Sequence, residues 1–445
     1  MRTQSSLCGL ALVVLYLCAF SASARNSDTY TAKTIYSFCP TEHCSGGAYP
    51  FAGLVRDSLG NFYGVTARGG DRDNGTVFEL SPAGKKGGKW RYRRLYSFCP
   101  IDCRDGQSPQ KPLIIDSAGN LYGVTAGGGQ SAYGVVFELE HAGIRKWKYH
   151  IIHSFCSLAN CSDGGGNYDM PSGLTYAGAA SGLPYDGVSP LYGTNYLGGA
   201  YGRGVVYSLT RSGKNQWRHK VVHQFCPHTE CPDGAYPNPP TADGNGNIFG
   251  TTQDGGLGPY TGIAYKLSLT GGKWRENVLY KFCSAADCDD GKYPIEGLAI
   301  DSAGNLFGAT VQGGTAIWSG GFGVIFRLSH DKDGWHETVL HSFCSVGDCD
   351  DGVLTIGKPV LDDSGNLFGA TETHGSDFGE DDGGTIYKLQ GSNYQVIYTF
   401  CTQNSCAEPE NHASADLYVD STGNIFGTAS FDGDYGWGYA FELTP

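Results

Sequence analysis

The sequence predicts an all-β chain folded as a single seven-bladed β-propeller with four-stranded blades. Three observations carry this: a sevenfold repeat marked by cysteine pairs, four strand-like segments in each repeat, and chain ends that complete one another. A chain that is 40% hydrophobic and 13% aromatic is too apolar for a disordered protein. Its 68 glycines follow no three-residue period, which excludes a collagen-like rod.

Fourteen of the 16 cysteines fall into close pairs: Cys39 with Cys44, Cys99 with Cys103, Cys156 with Cys161, Cys226 with Cys231, Cys283 with Cys288, Cys344 with Cys349 and Cys401 with Cys406. The pairs mark a unit of 57–61 residues, with one longer copy. In the second unit Leu95-Tyr96-Ser97-Phe98-Cys99 is followed by Cys103-Arg104-Asp105-Gly106 and Leu113-Ile114-Ile115-Asp116. Then come Gly119-Asn120-Leu121-Tyr122-Gly123-Val124-Thr125, Gly134-Val135-Val136-Phe137-Glu138-Leu139 and Trp147. The Leu-Tyr-Gly element recurs around Tyr63, Tyr122, Tyr192, Phe249, Phe307, Phe368 and Phe426. A Gly-x-x-aromatic-x-Leu element starts at Gly75, Gly134, Gly204, Gly262, Gly323, Gly384 and Gly438.

The four segments of each unit are β-branched and aromatic, and Gly, Asp, Asn and Ser separate them, which is strand punctuation. Asp-x-x-Gly-Asn at Asp57, Asp116, Asp243, Asp301, Asp362 and Asp420 predicts tight hairpins, since Gly and Asn tolerate positive φ. The seventh unit stops at its third strand, Gly438 to Leu443. The segment from Tyr30 to Phe38 aligns with a fourth strand, Tyr30 standing where Trp90, Trp147, Trp217, Trp274 and Trp335 stand. The N-terminal strand, about 30–38, therefore completes blade seven and leaves no raw sheet edge.

Residues 1–24 read as a signal peptide: Arg2, an apolar run from Leu7 to Phe20, and Ala22-Ser23-Ala24 before Arg25. That run is too short to span a bilayer, which takes about 20 residues. The propeller then occupies 25–445, and the mature chain is expected to be secreted, periplasmic or at the cell surface, with no membrane span. An even cysteine count in an exported chain favours disulfides over zinc, because no histidine recurs beside the pairs. Each small loop would contribute about 2 kcal/mol. With 31 basic against 44 acidic residues, net charge −13, the chain is a poor ligand for nucleic acid or anionic membrane.

These elements resemble the GloVer-containing, or choice-of-anchor, tandem-repeat proteins of bacterial secretomes. The unit is similar to theirs over the whole mature chain: Gly-Asn-Leu-Tyr-Gly, a Gly-Gly loop, Gly-x-Val-Phe-x-Leu, then Leu-Tyr-Ser-Phe. The resemblance implies an exported, propeller-like bacterial protein and supplies no activity. The C-terminal anchor that names the family is not seen here.

In a propeller the cysteine loops and the Gly-Gly loops share one face. Asp105, Asp163, Asp233, Asp290 and Asp351, each followed by Gly, read first as turns that let the chain leave the cysteine loop. Their functional reading is a carboxylate ring around the channel that could hold calcium, although calcium wants six to eight oxygens. No other cofactor is expected. The Gly-Gly loops vary most, and Asn74, Tyr133, Arg203, Thr261, Phe322, Gly383 and Trp437 precede the third strands. From these and their neighbours the expected ligand-binding set is Arg68, Arg72, Tyr133, Tyr201, Arg203, Tyr260, Trp318, Phe322, Tyr435 and Trp437. Aromatic faces bury sugar C–H surface while arginines and carboxylates take hydroxyls.

Acidic loops at Glu380-Asp381-Asp382 and Asp432-Gly433-Asp434 make Glu380, Asp382 and Asp434 weak catalytic candidates for glycan cleavage. His153, His223 and His341 replace the Tyr of other units and read as strand residues. The insertion from Tyr168 to Pro190 is expected to lengthen the hairpin between the first two strands of blade three, away from the loop face. The leading expectation is a monomeric, non-catalytic propeller that binds a glycan or protein ligand on its loop face. The alternative is a glycoside hydrolase or polysaccharide lyase on the same face.

Overall fold

The computed structural model describes residues 30–84, 89–165, 172–316, 320–345, 349–373, 383–400 and 416–445. They form seven separate antiparallel sheets, with only three short 3₁₀ turns besides. Blade one is Val55–Arg56, Phe62–Thr66, Thr76–Pro82 and Trp90–Ser97, paired in chain order. Five further blades follow with the same order, blade four having its first strand in two pieces. Blade seven takes Tyr418–Val419, Ile425–Ala429 and Tyr439–Thr444 from the end of the chain and Thr31–Ser37 from its beginning. Thr31 lies opposite Thr444 and Ser37 opposite Tyr439, so the closure read from the sequence is the one observed. The seven-bladed propeller is confirmed. Residues 1–24, read as the signal peptide, lie outside the described residues.

A single pairing repeated in every blade explains why the two most regular sequence elements occur together. The Gly of Leu-Tyr-Gly lies directly across the ladder from the aromatic of the third strand: Gly64 from Phe78, Gly123 from Phe137, Gly193 from Tyr207 and Gly250 from Tyr265. Gly308 faces Phe326, Gly369 faces Tyr387 and Gly427 faces Phe441 in the same way. The ring lies over the glycine, where a Cβ on Gly123 would stand 2.6 Å from Phe137 Cζ and 2.7 Å from Leu113 Cδ2. The Asp hairpins also form as expected. Asp57 Oδ1 accepts from the Leu59 and Asn61 amides and Oδ2 from Asn61 Nδ2 and Tyr63 Oη, all at 2.8–3.0 Å.

The core is not inside the blades but between them. Each seam has its own hydrophobic cluster drawn from two neighbouring blades. Between blades one and two, for example, Val65, Val77 and Phe98 meet Leu121, Val135 and Phe137. Tyr30 is buried in the blade six–seven cluster beside Phe368, the position its alignment with the tryptophans requires. At the axis a cavity of about 370 Å³ collects residues from all seven blades, among them Leu54, Leu113, Leu174, Pro239, Val360 and Leu417. The blade-three insertion does separate the first and second strands, and its Tyr185 is fully buried edge-on to Tyr122 of blade two.

Six of the expected disulfides are present. Cys39 is bonded to Cys44, Cys99 to Cys103 and Cys156 to Cys161. Cys226 is bonded to Cys231, Cys283 to Cys288 and Cys344 to Cys349. The seventh expected pair, Cys401 with Cys406, lies outside the described residues. Both cysteines of every described pair have positive φ, between 45° and 62°, with Cys161 at 48°, Cys231 at 46° and Cys288 at 58°. The loop therefore needs the cross-link to hold a backbone that L residues avoid. So many disulfides point to an extracellular or secreted protein. No helix among the described residues is long and apolar enough to cross a membrane.

Because the ring–glycine contact leaves no room for a methyl group, Gly123→Ala should destabilise the fold by about 1–3 kcal/mol. Equilibrium denaturation checks this, and a change within error would show that Phe137 moves aside freely.

Candidate functional site

The cysteine loops and Gly-Gly loops do share one face, because the backbone knits them together. The second cysteine of a pair reaches across directly: the Cys161, Cys231 and Cys288 carbonyls accept from the Gly199, Gly256 and Gly314 amides at 2.9–3.0 Å. Ala48 and Arg68 exchange hydrogen bonds of 2.9 and 3.1 Å, and Gln107 with Gly127 and Lys292 with Gln312 repeat the pattern. Neighbouring blades are joined at the same level. The carbonyls of Asn74, Arg203, Thr261 and Trp437, each just before a third strand, accept from the Ser108, Tyr236, Tyr293 and Tyr49 amides. Those four acceptors belong to residues singled out from the sequence for their side chains, and their backbone is what locks the blades.

The carboxylates of the cysteine loops are engaged by their own loops. Asp105 accepts from the Cys99 amide and Tyr96 Oη, and Asp163 from the Ser157 amide and hydroxyl and the Leu158 amide. Asp290 accepts from Ser284, Ala285 and Tyr280 Oη, Asp351 from the Cys344 amide and His341 Nε2, and Asp233 from the Cys226 amide. The ring at this fourth-strand position also meets a second ring from the next blade, even before the first cysteine loop, where Gly46 stands in place of the Asp. Tyr36 stacks on Tyr92 at 4.3 Å, Tyr96 on Tyr149 at 4.4 Å, His153 on His219 at 4.0 Å and His341 on Tyr394 at 3.7 Å. The hydroxyls of Tyr92, Tyr149 and Tyr394 then donate to the carbonyls of Gly46, Asp105 and Asp351. His153, His223 and His341 are thus seam residues in the place of tyrosines. Burial lowers the pKa of His153, and it takes His219 down to about 3 with His153 adding to the effect.

One deep cleft opens on this face, about 910 Å³, where blades seven, one and two meet. Trp437, Tyr49, Phe51 and Phe431 form its aromatic wall. Tyr49 lies edge-on to Trp437 at 5.1 Å and to Phe431 at 5.2 Å and stacks on Phe51 at 6.0 Å. Arg68, Arg72, Asp71, Asp73, Glu42 and His43 line the rest, with Arg68 and Asp73 paired at 3.5 Å. Trp437 keeps 39% of its surface exposed, enough to present a ring face to a ligand.

Three of the residues expected to bind ligand, Arg68, Arg72 and Trp437, are therefore brought together. The others are dispersed around the ring. Arg203 lies over Tyr236 at 5.1 Å, and Tyr260 lies 5.7 Å from Tyr293. Tyr201 and Tyr435 are exposed, while Tyr133 and Phe322 lean on the hydrophobic clusters of their seams. Asp434 does not line the cleft, and its carboxylate accepts from Ser37 Oγ at 2.9 Å where the ring closes. Trp318, Glu380 and Asp382 lie outside the described residues.

Sequence reasoning missed Tyr49, Tyr236 and Tyr293. All three have φ near +60° and all precede a proline, as Ala-Tyr-Pro, Ala-Tyr-Pro and Lys-Tyr-Pro. That recurring Tyr-Pro five residues after the second cysteine was the available signal. It also missed a basic groove of about 610 Å³ on the outer edges of blades one and two, lined by Arg93, Arg94, Arg145, Lys146 and Lys148. No single stretch of chain announces it, because the fourth strand of blade one and the last hairpin of blade two supply the charges.

The chain is thus a repeat propeller whose disulfide-closed loop face carries an aromatic cleft at the closing seam. It belongs to the Gloeobacter/Verrucomicrobia repeat family, whose pattern matches residues 21–189 and again 168–379. No curated protein matches it in sequence. Among solved structures it is similar in fold to a PL25 ulvan lyase bound to -[GlcA(1-4)Rha3S]-, with 12% identity, TM-score 0.51, and 92% and 95% of the two chains covered. The polysaccharide lyase Uly1 is similar at 9% identity and TM-score 0.50, over 92% and 91% of the chains. A puromycin-hydrolyzing peptidase of Mycobacterium tuberculosis matches at 10% identity and TM-score 0.50 over 89% of this chain and 52% of its own.

Glu337 occupies the second-ring position beside Tyr280 and Asp290, where burial and then Asp290 push its pKa from 4.5 to about 7. The folded state therefore holds its proton more tightly than the unfolded chain does. That stabilisation is complete below pH 4.5 and is lost as the pH climbs to about 7. Glu337→Gln should match wild type in Tm near pH 4.5 and exceed it at pH 8. A difference that does not vary with pH would contradict the assignment.

Proposed function

We propose that this protein is an extracellular, non-catalytic binding module, acting as a monomer, that takes an acidic polysaccharide in the cleft between blades seven, one and two. The observation that carries the reading is the joining of an aromatic wall, Trp437 with Tyr49, to Arg68 and Arg72 in one concavity of about 910 Å³. An aromatic face covers the C–H surface of a pyranose, and a guanidinium takes a carboxylate or sulfate in two parallel hydrogen bonds. The Tyr49 amide donates a hydrogen bond to the Trp437 carbonyl and so ties the two aromatic residues together through the backbone, which limits the entropy lost on binding. Arg203 over Tyr236 and Tyr260 beside Tyr293 would extend contacts along the same face. A uronic-acid-containing polysaccharide is the first ligand to try, since a solved propeller of similar fold is bound to one.

The competing reading is a lyase acting in the same cleft, favoured by His43, Tyr49 and Arg68 lining it together. β-Elimination from a uronate needs a group to remove a proton and a cation to neutralise the carboxylate, and these residues are of that kind. Calorimetry against uronate polysaccharides, with unsaturated-sugar absorbance followed in parallel, separates the two. Trp437→Ala and Arg72→Ala should each weaken binding about tenfold or more, a change of about 1.4 kcal/mol. Binding untouched by both substitutions would move the site elsewhere. Turnover abolished by His43→Ala would establish the lyase.

A further inference from the structure

A Tyr or His ring stands near the end of each fourth strand, and several of these rings meet the carboxylate of the following cysteine loop through a short hydrogen bond. Tyr96 reaches Asp105 at 2.6 Å, Tyr280 reaches Asp290 at 2.7 Å and His341 reaches Asp351 at 2.8 Å. The seam between blades three and four is built from the same positions but does not close. His223 Nε2 stands 3.8 Å from Asp233 and 3.7 Å from Glu276, both beyond hydrogen-bond reach. His223 Nε2, Asp233 Oδ1 and Glu276 Oε1 are each shut off from solvent and each lack a hydrogen-bond partner.

An imidazole nitrogen without a hydrogen-bond partner, beside two carboxylates that each keep one unpartnered buried oxygen, needs an explanation, because each such atom leaves its desolvation uncompensated. The ligand atoms of the three residues lie within 4.8 Å of one another. Atoms about 2.0–2.2 Å from a common ion in tetrahedral arrangement stand about 3.4 Å apart, so a small cation fits among them with little movement. We propose that His223, Asp233 and Glu276 bind a divalent transition-metal cation of the zinc class, which staples blade three to blade four.

The donor chemistry selects the class. One imidazole with two carboxylates suits zinc, whereas calcium prefers six to eight oxygens. Three protein ligands leave a fourth position for water. The side chains are 14–19% exposed, so the site lies just beneath the surface. The neighbouring seam is a natural control. Glu337 matches Glu276 in position but faces Tyr280, which offers no imidazole.

The purified mature protein, stripped with chelator, is mixed with zinc, desalted and assayed for metal content while Tm is followed. Wild type and Glu337→Gln are expected to retain one zinc per chain and to gain several degrees in Tm, as a ligand specific to the folded state must. Glu276→Gln and His223→Tyr are expected to retain none and gain nothing. His223→Tyr introduces the residue that the next seam has at Tyr280, so it removes the ligand with the seam packing kept. Zinc held elsewhere would survive both substitutions. That result, or a wild type that retains no zinc, overturns the proposal.

Discussion

Among the described residues adjacent blades share no sheet ladder, so what makes seven small sheets into one molecule happens at the seams. That constraint orders the rest of the structure. Each blade presents apolar side chains on both faces, and each seam buries them in its own cluster. Hydrophobic burial is non-directional and does not by itself set the register between blades. The cysteine loop supplies direction. Its positive-φ cysteines turn the chain, its Asp fastens a ring of the preceding strand, and the residues that follow pair with a carbonyl of the neighbouring blade.

The same economy explains why the loop face can vary. The carbonyls of Asn74, Arg203, Thr261 and Trp437, just before the third strands, join blades through backbone atoms, so the link between blades does not depend on residue type there. Trp437 turns its ring into the cleft, and Arg203 lies on Tyr236. The cleft opens at the closing seam, where the first and last described strands of the chain meet. There Phe431 and Trp437 come from one end and Tyr49 and Phe51 from the other.

The fold was legible in the residues because its signals are local and repeated. A Gly opposite an aromatic, an Asp that closes a hairpin and a cysteine pair each act within one unit, and six or seven copies of each remove ambiguity. The disulfides and the ring closure by Tyr30 to Phe38 followed from the same counting. The site was legible only in part. Arg68, Arg72 and Trp437 were found because they sit in variable loops, but Tyr49 lies just after a cysteine loop, outside the Gly-Gly loops from which candidates were drawn. The His223, Asp233 and Glu276 trio was divided between two readings, strand tyrosine substitutes and loop carboxylates. Its third member, Glu276, stands in a strand where another blade has Tyr149.

What this sequence determined alone is the architecture: the number of blades, the strands in each, the loop pairings and the place where the ring closes. Those depend on spacing along the chain and on steric rules that act over a few residues. What only the tertiary structure decided is which side chains share a space. Cleft and seam residues lie far apart in the sequence and meet because neighbouring blades pack at fixed angles, a geometry set by all seven clusters together. Residue type shows what chemistry a side chain can perform; the distance to its partner in the next blade, set by the closed ring, determines whether it has the chance.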